Sequence, residues 1–438
     1  MKLVERKYLI PFIAVTMLFA LWGFANDITN PMVAAFQTLM ELSAAKASLI
    51  QFAFYGGYAT MAVPAALFIR RYNYKRGILL GLTLYAIGAF LFIPAASRQS
   101  FTFFCFSLYI LTFGLAFLET TANPFILSLG SKENATRRLN LAQAFNPMGS
   151  LCGMAVASMA VLPNLLSDRR DAAGVILFPI LSEAEKADIR VHDLAVIRDP
   201  YVILGIVVLV MLVIIALVKV PAQKTPERVV YDERPGSNRP TRPKRASSTL
   251  GRLWHNRVYR EGVVAQLFYV AAQIMVWTFI IHYADHLGIN KSTAQNYNIV
   301  AMCLFLAGRF AATFLMKYVD GRQLLTQFGF CAALCSLGAI LIVGKAGLWC
   351  LVGISFFMSL MFPTIYGTAL EHVELGDASL GAAFLVMAIV GGALMPPMQG
   401  TIIDQDVIAG HPAVNVSYIL PFICFIFVAI YGIRARKP

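Results

Sequence analysis

Long apolar stretches dominate this chain, and their length decides what it can become. A helix rises about 1.5 Å per residue, so roughly 20 apolar residues cross the hydrocarbon core of a bilayer. Runs of that length recur about twelve times. Six lie near residues 9–36, 47–69, 77–97, 101–129, 138–162 and 199–219. Six more lie near 261–287, 292–316, 323–344, 347–371, 379–403 and 413–433. The expected fold class is an all-α membrane protein with twelve transmembrane helices. The first run continues through Asn26–Pro31 with no small-residue cleavage pattern, so it reads as a span and not as a cleavable signal.

The net charge of +13 would fit nucleic acid if it were clustered on a soluble face, but its placement points to a membrane. With the N-terminus inside, inner segments hold about 26 Lys/Arg and outer loops about 9, which is the positive-inside bias. Both ends, Lys2/Arg6/Lys7 and Arg434/Arg436/Lys437, then fall on the cytoplasmic side, as an even number of spans requires. Arg309 is the one basic residue left within a span. From Pro221 to Arg260 the composition switches to Lys, Arg, Pro and Ser, which reads as a flexible linker whose basic run touches anionic lipid. The expected organisation is a first half over 1–219, a cytoplasmic linker over 220–260 and a second half over 261–438. Arg70–Arg76 and Lys317–Arg322 follow the second helix of each half, a weak echo of duplication. All seven cysteines lie in apolar spans without partners at ligand spacing, so they read as packing residues and no metal or cofactor is expected.

Between Arg98 and Lys132 the only charged side chain is Glu119. A carboxylate at the centre of a membrane helix costs about 2.5–3.5 kcal/mol on insertion scales, so it faces a wet interior and marks a substrate or proton path. Pro124 cannot donate to the Thr120 carbonyl, which frees a polar backbone group beside Glu119. In the first span, Asp27 and Asn30 share a face, and Pro31 frees the carbonyl of Asp27. Asp27 either lies buried there or sits solvated at the helix end. In the fifth, Asn140, Gln143 and Asn146 recur every third residue, forming a polar pocket or interhelical hydrogen bonds, and Gly149, Gly153 and Ala157 give a close-packing face. In the seventh, Gln266, Tyr269, Gln273 and Trp277 fall within about 60° of one another. Amides suit sugar hydroxyls, and an aromatic face suits the C–H side of a sugar ring. Ser182 with Glu185 reads as a capping box for a short outer helix from Glu183 to about Val196. The tenth span carries a proline break at Phe362-Pro363, and the eleventh carries Gly391-Gly392 and Pro396-Pro397 as a hinge.

The chain resembles the fucose permease branch of the major facilitator superfamily. The matches include Phe54-Tyr55-x-Gly57-Tyr58, Leu118-Glu119-Thr120-x-Ala122-Asn123-Pro124-Phe125, Arg138–Asn146, Ala265-Gln266-x-x-Tyr269 and Gly308-Arg309-Phe310. That resemblance implies two pseudo-symmetric six-helix bundles, a central sugar site and proton-coupled uptake by alternating access. It implies Glu119 and Asp27 as proton-coupling acids, with Asn30, Asn123, Gln143, Asn146, Gln266, Tyr269, Gln273, Trp277 and Phe362 at the sugar. Two positions depart from the family pattern. Asp27-x-x-Asn30 reverses Asn-x-x-Asp, moving the acid one turn, and Phe362 replaces a tyrosine. The implied substrate is L-fucose or a related hexose. The alternatives are a glucose, galactose or amino-sugar carrier and, from a different class, a sensor that binds sugar without moving it. An enzyme is not expected, since no HExxH, GxSxG or paired aspartates occur on helix faces. The implied setting is a bacterial inner membrane, with sugar, protons and lipid as partners, no nucleic acid, and a working monomer.

Overall fold

Each predicted apolar run is helical over its described residues. The computed structural model describes the chain except residues 1–3, 5–7, 43–48, 132, 170–176, 219–245, 290, 372, 375–376, 404, 406, 409 and 437–438. The side chains of 30–34, 37, 51, 246–248, 281, 285, 291–293 and 295 also lie outside the described residues. Among the described residues, 12 helices are long and apolar enough to cross a membrane. The first six spans are Leu9–Thr29, Phe52–Arg71, Tyr74–Ser97, Phe101–Ser128, Ala135–Asn164 and Glu183–Leu217. The second six are Arg257–Ala284, Asn296–Leu315, Gly321–Leu341, Lys345–Leu370, Ala378–Ile403 and Ala413–Arg434. A two-residue hairpin pairs Val407 with Pro412 and Ile408 with His411 in the loop before the last span, a small departure from an all-helical chain.

The expected small-residue face of the fifth span packs on the first. A Cβ on Gly149 would fall 1.8 Å from the Ala20 carbonyl oxygen, and one on Gly23 would fall 1.9 Å from that of Asn146. Only glycine permits backbones to meet this closely, and the contact holds Asn146 at a fixed height on the first span.

The sequence divides the sixth span too early. The capping box at Ser182 and Glu185 is present, but the helix it starts runs unbroken from Glu183 to Leu217. Pro200 sits inside it and forfeits only the bond to the Val196 carbonyl, which a long helix tolerates. The projecting end is anchored by charge. Glu41, in a left-handed backbone conformation with φ of 49°, accepts from Lys186 at 2.9 Å and Arg190 at 3.0 Å. Asp193, fully buried, accepts from the N–H groups of Leu166 and Ser167 at 2.9 and 2.8 Å.

Much of the predicted linker over 220–260 lies outside the described residues. Its last part is ordered, since Ala246–His255 is a helix and the seventh span starts at Arg257, four residues before the expected 261. Arg252 grips Asp377 with a bidentate pair at 2.7 and 2.6 Å, and Thr249 donates to the same carboxylate at 3.0 Å. That carboxylate keeps the Arg252 guanidinium protonated more firmly than usual.

The polar contacts between halves shown by the structure gather toward the face that carries both chain ends, here called the terminal face. Arg137 donates to the Thr313 carbonyl at 3.2 Å, and Asn140 donates to Thr364 Oγ1 at 3.2 Å. Gly367 lies against Thr136, where a Cβ would come within 2.8 Å of the Thr136 hydroxyl.

Candidate functional site

Between the halves, beyond these contacts, lies a cavity of about 130 Å³. That is well below the roughly 300 Å³ at which drug-sized pockets begin, so its occupant is small. The first half contributes Asp27, Glu119, Gln143 and Asn146 to its wall. The second half contributes Tyr269, Gln273, Trp277 and Phe362. Five helices from two halves, far apart in sequence, thus place acids, amides and aromatic rings around one space.

Glu119 reaches the cavity from the middle of the fourth span, between the buried Leu118 and Thr120. Its Oε2 is buried with no hydrogen-bond partner. An orphaned oxygen in such a place is satisfied by a proton or by a substrate hydroxyl. Asp27 is 4% exposed, which favours the buried reading of that residue over the solvated one. Its neighbours include Asn26, at 3.5 Å, and Tyr55. The Asn30 side chain, expected to bind sugar, lies outside the described residues.

Two of the amides are joined to each other, and a third is held by backbone. Gln143 donates to Asn123 Oδ1 at 2.9 Å, and Asn146 donates to the Phe19 carbonyl at 3.3 Å. Gln273 is half-buried and faces the cavity. Trp277 is fixed by its Nε1–H donating to Ser355 at 3.2 Å, and its ring meets Phe305 edge-on at 5.1 Å. Such a plate presents an apolar face to the space in front of it. Asn123 and Gln266 are both fully buried and absent from the cavity wall. Both stand one turn nearer the terminal face.

The sequence left Arg309 without a partner. It lines the cavity at 3% exposure, and its guanidinium lies 4.8 Å over the Phe305 ring. Nε donates to the Ser359 carbonyl at 2.6 Å, and Nη1 donates to the Gln143 carbonyl at 2.9 Å and to Gln143 Oε1 at 3.3 Å. Both carbonyls have a common origin. Pro363 stands four residues after Ser359, and Pro147 four residues after Gln143, so each proline strips its carbonyl of the usual helical donor. A planar fork of fixed donors can join two such carbonyls, one from each half. The proline break expected in the tenth span is the acceptor half of this clasp.

Sequence reasoning missed several wall residues. Phe54, Tyr55 and Tyr58 from the second span, Phe19 and Trp22 from the first, and Met302 and Phe305 from the eighth all line the cavity. The available signal was spacing, because Tyr55 and Tyr58, like Phe19 and Trp22, stand three apart on one helix face. Nothing in spacing says which face of an apolar span meets water.

Comparison with known proteins covers nearly the whole chain. The family model of the Major Facilitator Superfamily matches residues 13–396. An L-fucose-proton symporter of Haemophilus influenzae is 59% identical over 436 residues, covering 100% of this chain and 99% of the relative. An L-fucose-proton symporter of Escherichia coli is 34% identical over 98% of this chain and 93% of its own length. A glucose/galactose transporter of Brucella abortus is 30% identical over 99% and 96%. Among solved structures, FucP, a transporter in the outward conformation, superposes with a TM-score of 0.87 at 32% identity, covering 99% of this chain and 100% of that one.

Proposed function

This chain belongs to the major facilitator superfamily, and on that premise we propose that it imports L-fucose together with protons by alternating access. The observation that carries this reading is Glu119, a carboxyl within a membrane span with one buried, unpaired oxygen, set in a cavity walled by amides and aromatic rings from both halves. The similarity to proteins named L-fucose-proton symporters supports the choice of sugar and of coupling ion. The chain is a transporter and not an enzyme. The positive-inside bias supports a cytoplasmic terminal face, and the similarity to bacterial symporters supports an inner-membrane location. We read the working unit as a monomer in lipid, with the two halves bounded as 1–219 and 261–438.

The mechanism uses few parts. With the cytoplasmic side clasped, the cavity receives sugar from outside. Glu119 takes a proton, which removes a charge from the space that must close around a neutral ligand. Gln143, Asn146 and Gln273 hold hydroxyls, with Asn30 as a further candidate, while Tyr269, Trp277 and Phe362 face the ring. Asp27, beside Tyr55, shares the acid's work. Rocking of one half over the other then breaks the Arg309 clasp and opens the cavity inward. Water enters, Glu119 releases its proton, and the sugar leaves.

Phe362 favours one second reading. It removes a hydroxyl that the family's fucose pattern supplies, so a glucose- or galactose-type hexose is the rival substrate. Uptake of labelled L-fucose into proteoliposomes, with and without an inward proton gradient, separates the two. Gradient-driven accumulation competed by L-fucose and not by glucose or galactose is expected. Accumulation blocked by glucose instead would transfer the assignment, and binding without flux would make the protein a sensor.

A further inference from the structure

A second polar layer lies one helical turn beneath the cavity, and it has the same construction. Glu119 lines the cavity and Asn123 stands four residues deeper in the fourth span; Phe362 lines it and Tyr366 stands four deeper in the tenth. Gln143 and Tyr269 line it, and Asn140 and Gln266 each stand three residues deeper in spans of opposite chain direction. Thr364 completes the layer by accepting from Asn140. Asn123, Asn140, Gln266 and Thr364 are fully buried, as is Tyr366. Every member is neutral.

The packing register places Gln266 at this level. A Cβ on Gly262 would fall 2.7 Å from Ala369, and the Tyr269 ring meets Phe362 at 6.3 Å. These two contacts are consistent with antiparallel helices, so Gln266 lies opposite Ile365 and Tyr366. The Tyr366 hydroxyl is buried at this level without a hydrogen-bond partner. The Phe362 ring runs nearly parallel to that of Tyr366, with centroids 6.2 Å apart.

Hydrogen bonding within the layer is incomplete. Both side-chain polar atoms of Gln266 are buried without a partner, and so is Asn140 Oδ1. Leaving a buried amide unpaired is costly, and a helix contact of this kind would pack as well with leucine. Groups unsatisfied in one conformation are accounted for if another conformation satisfies them. We propose that Asn123, Asn140, Gln266, Thr364 and Tyr366 form a second sugar station, closed while the cavity faces outward and filled when the cytoplasmic side opens. Its ligand class is a neutral polyol, because the layer offers amides and hydroxyls and no charge. This rests on the sugar-transport reading above.

Two measurements test it. Sugar binding from outside is read by quenching of the cavity tryptophans Trp22 and Trp277, and turnover by uptake into proteoliposomes. Gln266→Leu should keep outside affinity within about twofold and lower turnover about tenfold, and Tyr366→Phe should show the same split. Unchanged turnover in both variants would overturn the station, and so would loss of outside binding as large as the loss of turnover. In a cysteine-free background, Gln266→Cys should react with an impermeant thiol reagent applied from the cytoplasmic side, and L-fucose should slow the reaction. Absence of labelling, or labelling that L-fucose, glucose and galactose all leave unchanged, would overturn the proposal. Labelling from inside in a protein whose unsubstituted form moves none of these sugars would overturn the transport reading, and the station with it.

Discussion

Arg309 is a buried cation held by carbonyls and an amide oxygen on both sides of the half boundary. Carbonyl acceptors hold it loosely enough to let go, which a deep ion pair with a carboxylate would resist. Lysine offers a compact charge on a flexible stem and cannot span both carbonyls in a fixed plane. Arg309→Lys should therefore forfeit about 1–3 kcal/mol of the clasp. The measurable outcome is slower gradient-driven uptake together with faster sugar leak from preloaded vesicles; unchanged kinetics would show that the clasp does not govern opening. Of the prolines behind this contact, Pro363 was legible in the sequence as a helix break, without the carbonyl it frees. Their partner was not, since Gln143 and Arg309 stand far apart in the chain and only the closed bundle joins them. The same limit hid Tyr55 and Tyr58, whose positions look like any aromatic pair on an apolar helix.

At the scale of elements, small residues and charges set helix positions that apolar area alone leaves free. Gly149 meets the Ala20 carbonyl oxygen so closely that an added side chain must push the first span away. Gly149→Val should cost about 1–3 kcal/mol or more from overpacking. The checks are a lower melting temperature and weaker sugar binding, because Asn146 is held by this contact. Outside the membrane, the hydrogen bond from Lys186 holds the Glu41 carboxyl below the usual carboxylate range. The unfolded chain thus binds the proton more readily than the folded one. The contribution is complete above about pH 4.3 and lost as pH falls through the lowered folded value. Glu41 is 38% exposed, and exposed pairs contribute little. Glu41→Gln should cost less than about 1 kcal/mol. The melting temperatures of the variant and the parent should differ at pH 7 and converge near about pH 3; an equal difference at both would contradict the ion-pair account. Element existence was legible because hydropathy at membrane length leaves little choice. The length of the sixth helix was not, because Pro200 reads as a stop locally while the capping box and the outer ion pairs sustain one continuous helix.

The whole molecule is two six-helix halves that touch at one face and part around a cavity, so its central motion must break the terminal-face contacts. The halves themselves were legible in the basic stretch between them and in the placement of charge. The pairing of Gly367 with Thr136 was not, since it belongs to neither half alone. It also offers a lock. A Cβ on Gly367 falls 3.4 Å from that of Thr136, near the roughly 3.5–4.5 Å span of a disulfide. Thr136→Cys with Gly367→Cys, in a background without the native cysteines, should cross-link on oxidation, stop transport and spare outside sugar binding. Reductant should restore flux, and full transport in the oxidised form would deny that this face opens. The coupling claim is tested most directly with a pH electrode in a lightly buffered suspension of right-side-out vesicles, to which L-fucose is added. We expect the medium to turn transiently alkaline as protons enter with the sugar. Glu119→Gln should abolish that signal while still exchanging labelled for unlabelled sugar. Sugar entry with no alkaline shift in the unsubstituted protein, or an undiminished shift in Glu119→Gln, would contradict proton coupling through this carboxyl.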